Sequence, residues 1–196
     1  MDRVGLRLRL RKQQAQAGDI HLLFADESEA LTHPYLAQAW APRGADLRVE
    51  APGQAKKVAI MGALDATTWE VVVHTARTKR STDFVALLDR IDERYAAQPG
   101  RASKPVVLVL DNGPIHTSTL TTKALADRRP WLTVEWLPNY APERNDIERV
   151  WRDLKRHHLA HRTFTDADQL ERDIQSAIGQ RNRERAHLCD NRRIAA

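Results

Sequence analysis

Cysteine is almost missing: Cys189 stands alone in 196 residues. No intramolecular disulfide can form, and neither a cysteine-based zinc ribbon nor a dithiol redox pair can be built, which points to a reducing compartment. Long apolar runs are missing too. None exceeds the five residues of Val106-Val107-Leu108-Val109-Leu110, far short of the ~20 that cross a bilayer, and no apolar signal core opens the sequence. Internal repeats, low-complexity tracts and Gly/Ser linkers are lacking as well, so nothing divides the chain into separate modules.

What is present suits one folded unit. Apolar residues make up 42% and charged residues 29%, enough to close a core and too apolar for a disordered tail. Lys and Arg number 31 against 26 Asp and Glu, a net charge of +5. The excess gathers at both ends, in Arg3, Arg7, Arg9, Arg11 and Lys12 and in Arg181, Arg183, Arg185, Arg192 and Arg193. Such clusters fit contact with nucleic acid phosphates and fit solvated termini equally well.

Residues 1–18 alternate Arg with Leu and read as a basic arm, an edge strand or a linker remnant. The segment 19–182 carries the regular patterns, and 183–196 reads as a basic tail. Ile20 to Ala25 is a short apolar run ending at Asp26. Val58 to Leu64 and Thr68 to Val73 form a hairpin joined by Asp65-Ala66-Thr67. Ser81 and Thr82 precede Phe84, Val85, Leu87, Leu88 and Ile91 at helical spacing, a helix that closes at Pro99-Gly100. Val106 to Leu110 suits a strand buried on both faces. A second helix is expected over Thr117 to Asp127, a fifth strand over Leu132 to Leu137, an amphipathic helix on the stripe Ile147, Val150, Trp151, Leu154 and His158, and a last helix from Asp166 to about Arg181. Early antiparallel strands followed by alternating strand and helix predict an α/β fold, a mixed five-stranded sheet flanked by helices.

Three acids fall at the ends of these elements: Asp26 after the first strand, Asp111 after the buried one, and Glu148 in the first turn of the amphipathic helix. Ligands of such sheets collect beyond the carboxyl ends of the strands, where acids from neighbouring elements converge. Converging carboxylates repel unless a cation sits among them. An oxygen-only donor set favours Mg²⁺ or Mn²⁺, and a pair of such ions serves in-line attack on a phosphodiester. Each acid also has an ordinary explanation. Asp26 can simply end a strand, Asp111-Asn112-Gly113 is a turn signal, and Asn145 with Glu148 matches a helix capping box.

Four strings appear in order: Phe24-Ala25-Asp26-Glu27-Ser28; Trp40-Ala41-Pro42-Arg43-Gly44; Asp111-Asn112-Gly113-Pro114-Ile115-His116; and Leu137-Pro138-Asn139-Tyr140-Ala141-Pro142-Glu143-Arg144-Asn145-Asp146-Ile147-Glu148-Arg149-Val150-Trp151. Over about residues 20–180, and with Leu154-Lys155, the chain resembles the catalytic domain of bacterial transposases of the insertion-sequence-630 family, in the mariner superfamily. The resemblance implies a ribonuclease-H-like, retroviral-integrase-like fold. It implies a DDE active site in which Asp26, Asp111 and Glu148 are both catalytic residues and metal ligands for two Mg²⁺ or Mn²⁺ ions. The implied activity is metal-dependent DNA strand cleavage and strand transfer at transposon ends.

Further expectations follow from the same resemblance. Partners are transposon-end and target DNA, a second copy of the chain in a homodimer, and an upstream helix-turn-helix polypeptide, because fewer than twenty residues precede the first catalytic strand. The setting is the cytoplasm of a bacterium, in association with the nucleoid and away from membranes. The separation 148 − 111 = 37 is slightly longer than is usual in the family, and a loop insertion around residues 126–131 would absorb it.

Candidate DNA contacts are Arg43, His116, Arg149, Arg152, Lys155 and Arg156. Arg152 and Lys155 follow Glu148 by one and two helical turns, although a solvated helix face has the same look. His116 either orients a water or phosphate near the acids or caps the second helix. Trp40 either meets DNA beside Arg43 or packs. His157, His158 and His161 lack a further ligand at zinc spacing, and zinc is not expected there. Two other readings stay open: a ribonuclease-H-like nuclease such as a resolvase, which cuts without joining, and a domesticated DNA-binding remnant. The three intact acids argue against decay.

Overall fold

A computed structural model of the chain describes residues 3–38, 40–51, 53–96, 104–138 and 142–194. Pro99-Gly100 and the Asn139-Tyr140-Ala141 part of the last motif lie outside the described residues. The strands are β1 (His21–Leu31), β2 (Lys57–Asp65), β3 (Val71–Ala76), β4 (Val106–Leu110) and β5 (Leu132–Trp136), and the helices are α1 (Arg3–Ala17), α2 (Ser81–Tyr95), α3 (Pro114–Thr117), α4 (Thr119–Asp127), α5 (Glu148–Asp153) and α6 (Ala167–Ile194). A π-helical turn, Leu154–His158, continues α5.

The five strands form one mixed sheet in the order β3-β2-β1-β4-β5. β1 pairs antiparallel with β2 and parallel with β4, β2 pairs antiparallel with β3, and β4 parallel with β5. All five residues of β4 are buried, as a strand covered on both faces requires. Side-chain alternation splits the core in two. Leu22, Phe24, Val107 and Val109 meet Leu8 and Ala15 of α1, Val150 and Trp151 of α5, and Leu170, Ile174 and Ile178 of α6. Leu23, Ala25, Leu108 and Leu110 meet Phe84, Leu87, Leu88 and Ile91 of α2 and Ala124 and Leu125 of α4.

Several elements differ from their sequence patterns. β1 does not stop at Ala25. It runs on to Leu31 because β2 stays paired with it as far as Leu31 opposite Lys57, so Asp26 lies inside a strand. β3 begins at Val71, since the turn after Asp65 is wider than three residues: the carboxylate of Asp65 accepts from the N–H groups of Thr67 and Thr68, and its own N–H donates to Glu70 O. The expected helix over 117–127 is two helices broken at Ser118, whose hydroxyl caps α4 by accepting from Thr121 N at 3.2 Å.

The first segment is neither an edge strand nor a linker. It is α1, packed by Val4, Leu8 and Ala15 at near-helical spacing, a stripe obscured in the sequence by the exposed Leu6 and Leu10. At the other end α6 continues past Arg181 through the expected tail to Ile194, because the polar stretch after Ile178 contains good helix formers and no proline. Among the described residues no helix is long and apolar enough to cross a membrane.

The seating of α1 predicts a contrast between two leucines. Leu8→Ala should cost about 2 kcal/mol through lost burial and the cavity left behind. Leu10→Ala, at a position 52% exposed, should stay within about 0.5 kcal/mol of the parent. Urea unfolding of both variants checks this, and equal midpoints would show that α1 is not part of the core.

Candidate active site

Asp26 follows Leu22 and Phe24 at two-residue steps within β1 and so lies on the face covered by α1, α5 and α6. Phe24 stands beside Val109 in the parallel β1–β4 ladder, which ends there. Asp111 stands just past the end of β4, where its carboxylate meets His116, packed on Phe84 of α2. Glu148 opens α5, on the face of Asp26.

α5 comes this close because of one glycine. Gly62 of β2 lies directly opposite Asp26, and a Cβ there would enter the Trp151 indole, 2.7 Å from Cζ2, and would lie 3.1 Å from Ile147 Cδ1. Asn145 fixes the approach further. Its buried Nδ2 donates to Ala25 O at 3.0 Å, tying the loop before α5 to the residue that precedes Asp26. The expected capping box does not form: Ile147 occupies the N-cap, the Asn145 amide is spent on β1, and Glu148 is exposed. A helix-capping role therefore does not explain Glu148.

Electrostatics separate the two aspartates. Burial, followed by the negative charges of Glu27 and Glu148, pushes the Asp26 carboxyl up to about 8 against the lowering effect of a backbone N–H at Glu27. His116 holds Asp111 below the usual carboxylate range, aided by the Gly113 N–H and by the charge of Lys79, while partial burial opposes them. The bonds explain the direction: Asp111 Oδ1 meets His116 Nδ1 at 2.6 Å and accepts from Gly113 N at 2.9 Å. No group of three or more side chains placed to hold a metal ion stands among the described residues. Asp26 and Glu148 interact through their charges, and Asp111 has one oxygen engaged by His116 and Gly113.

A family model described as DDE superfamily endonuclease matches residues 21–171. The chain belongs to the DDE superfamily of endonucleases. A protein of Shigella sonnei named as the insertion element IS630 uncharacterized 39 kDa protein is 33% identical over 133 residues, covering 68% of this chain and 37% of that protein. The chain thus spans little more than a third of that curated relative. Among solved structures, the Mos1 transposase paired-end complex with left transposon end is similar with a TM-score of 0.61 at 16% identity, over 90% of this chain and 52% of that one. The catalytic domain of Mos1 mariner transposase is similar with a TM-score of 0.59 at 15% identity, over 90% and 77%. The sheet of this DDE endonuclease is therefore of the ribonuclease-H-like kind that the motifs implied.

The basic candidates of the DDE endonuclease are dispersed. Arg149, Arg152 and Arg156 are exposed along α5 and the π turn. Arg152, Lys155 and Arg156 share a shallow cleft with Tyr35, Leu36, Ala37 and Gln38, and Lys155 Nζ lies 6.0 Å from the Tyr35 ring centroid. Arg43 is exposed in the β1–β2 connection, as is Trp40, which does not pack. His116 departs from its place among the DNA contacts: it is 1% exposed and faces inward to Asp111. Sequence reasoning missed Gly62, although a lone glycine inside an apolar strand signals close approach of another element. It also missed Lys12, whose Nζ pairs with Asp146 at 2.6 Å, two residues before Glu148.

Two outcomes are expected. Gly62→Ala should lower stability by roughly 1–3 kcal/mol through overpacking against Trp151, read as a shift in urea midpoint; an unchanged midpoint would mean that α5 does not press on β2. For Asp26, the folded carboxyl titrates above its unfolded value of 3.8. The folded form thus holds the proton more tightly, and the stability this contributes is fully present below about pH 4 and is lost as pH rises toward 8. In metal-free protein at pH 8, Asp26→Asn should raise the melting temperature by roughly 3–6 °C, with the gain fading toward pH 4. A gain independent of pH would point to another cause.

Proposed function

We propose that the chain is the catalytic domain of a DNA transposase of the IS630 and mariner kind, which cuts strands at element ends and transfers them to target DNA, with Asp26, Asp111 and Glu148 as its catalytic acids and metal ligands. One observation supports the reading: the parallel β1–β4 ladder runs to Phe24 beside Val109, two residues short of Asp26 and Asp111, and Glu148, whose charge acts on Asp26, opens α5 over the sheet face that Phe24 and Val109 share.

The residues fit a hard divalent cation. Their donors are all oxygen, and Asp26 is destabilised as an anion by burial and by two acidic neighbours, the situation that a cation relieves. Mos1 paired-end complexes are described with Mg and with Mn. Two such ions are part of the proposal, as in-line displacement at phosphorus has an attacking and a leaving oxygen to be stabilised. Bound divalent metal supplies a lowered pKa for the attacking water or 3′-hydroxyl and neutralises charge on the phosphoryl oxygens.

The protein contributes position. β1 carries Asp26, the end of β4 leads into Asp111, Gly62 and Asn145 seat α5, and Arg149, Arg152, Lys155 and Arg156 offer cations to the DNA backbone on this reading. Arg43 belongs to the same DNA surface on this reading. A homodimer that holds two ends and a helix-turn-helix module that reads them complete the assembly, both taken over from the family resemblance.

The test supplies a pre-cut element end, Mn²⁺ and target plasmid. Joined products are expected, reduced at least about 10²-fold by Asp111→Asn, the scale of losing one preorganised electrostatic contributor. Cleavage without joining would replace the transposase with a nuclease, and DNA binding indifferent to Mn²⁺ and to the substitution would replace it with a non-catalytic remnant.

A further inference from the structure

The ring of His116 lies between two carboxylates. Nδ1 is 2.6 Å from Asp111 Oδ1, and Nε2 is 3.6 Å from Glu27 Oε2. Glu27 follows Asp26 in β1 and points to the opposite face, toward α2. The imidazole therefore spans from one candidate metal ligand to the immediate neighbour of another, across the point where β4 ends and β1 continues. Its plane is held by Phe84 of α2, with ring centroids 4.5 Å apart and planes inclined at 60°. Nε2 is buried and has no hydrogen-bond partner, since 3.6 Å to Glu27 is too long for one. The Nδ1 contact is thus the ring's one close polar anchor.

We propose that His116 is a positioning residue that sets the direction of the Asp111 carboxylate, with Glu27 flanking the ring from β1. The His116 ring and the Gly113 N–H both take Oδ1, so the carboxylate is fixed by that fork through one oxygen while Oδ2 stays outside it. A freely rotating aspartate after a strand end loses side-chain entropy on taking a cation; one already locked has lost it on folding. His116 acts through Asp111 and does not meet DNA, since its ring is closed off beneath α3 and α2. The inference rests on the reading that the three acids hold divalent metal.

The test measures Mn²⁺ binding to DNA-free protein by the loss of the free-ion paramagnetic signal, with thermal unfolding recorded in parallel. His116→Ala should weaken Mn²⁺ binding by about 10–100-fold, the usual effect of removing a group that orients a ligand. His116→Asn, whose amide stands near the place of Nδ1, should recover most of that loss even where its melting temperature stays as low as that of the alanine variant. Mn²⁺ affinity that is unchanged in both variants, whatever happens to stability, would overturn the proposal, as would an asparagine variant no better than alanine. Asp26→Asn and Asp111→Asn separate the two levels: unchanged Mn²⁺ binding in these would remove the metal reading itself, whereas lost binding in these with intact binding in the His116 variants would remove only the role of His116.

Discussion

Four residue pairs between β1 and β4, from His21 beside Val106 to Phe24 beside Val109, bring two strands to one level before one of them ends. Parallel pairing keeps their side chains in phase. Two residues beyond Phe24 and two beyond Val109 stand aspartates, one still inside β1 and the other just past the end of β4. A slip of β1 by one residue would turn Asp26 from the face of α5 to that of α2. In the register observed, Val107 and Val109 share a face with Leu22 and Phe24.

That arrangement opposes stability locally. Asp26 is half-buried, with Glu27 beside it in sequence and the charge of Glu148 acting on it, and its carboxyl is pushed far above the ordinary range. The surroundings over-determine the strained arrangement. Gly62 lets the Trp151 ring approach β2 closely, Asn145 ties its loop to Ala25 O, and Ile147 and Val150 are buried in the core on that face of the sheet. Each of these contacts is apolar packing or a neutral hydrogen bond, which carries no repulsion of its own. Asp26 and Glu148 are thus brought together in part by groups that do not titrate, and the repulsion between them stays in place.

The sequence made the sheet legible where apolar runs were short and complete. β4 matched residue for residue, α2 began at Ser81 as its pattern required, and the mixed five-stranded sheet followed from element order. Legibility failed where the deciding contact came from far away in the chain. Asp26 looked like a strand end because the acidic string after it resembles a turn, yet β2 holds β1 extended for five further residues, to Leu31. Asn145 looked like a cap because its neighbours spell one, yet its amide goes to a carbonyl 120 residues away. The three acids stood out because the motif strings around them are long and ordered. Gly62 and Lys12 did not, since each acts through partners that only the folded chain brings near.

The same distinction applies to the basic N-terminus. Read along the chain, Arg7, Arg11 and Lys12 form a positive cluster suited to DNA. In the fold, Arg7 and Arg11 pair with Glu135 of β5 and Lys12 pairs with Asp146, with Lys12 Nζ also 5.1 Å from the Phe24 ring centroid. Part of the positive charge of α1 is therefore used inside the domain, on the two segments that flank the end of β5 and the start of α5. An exposed pair of this kind contributes little, but Glu135 and Asp146 keep only 13% and 14% of their side-chain surface, and partly buried acids without a cation would be costly. The cations left facing solvent beside the acids are those of α5 and the π turn. Net charge alone pointed at both chain ends, whereas the folded arrangement spends part of the N-terminal charge on the segment before α5 and leaves exposed arginines on the helix that carries Glu148.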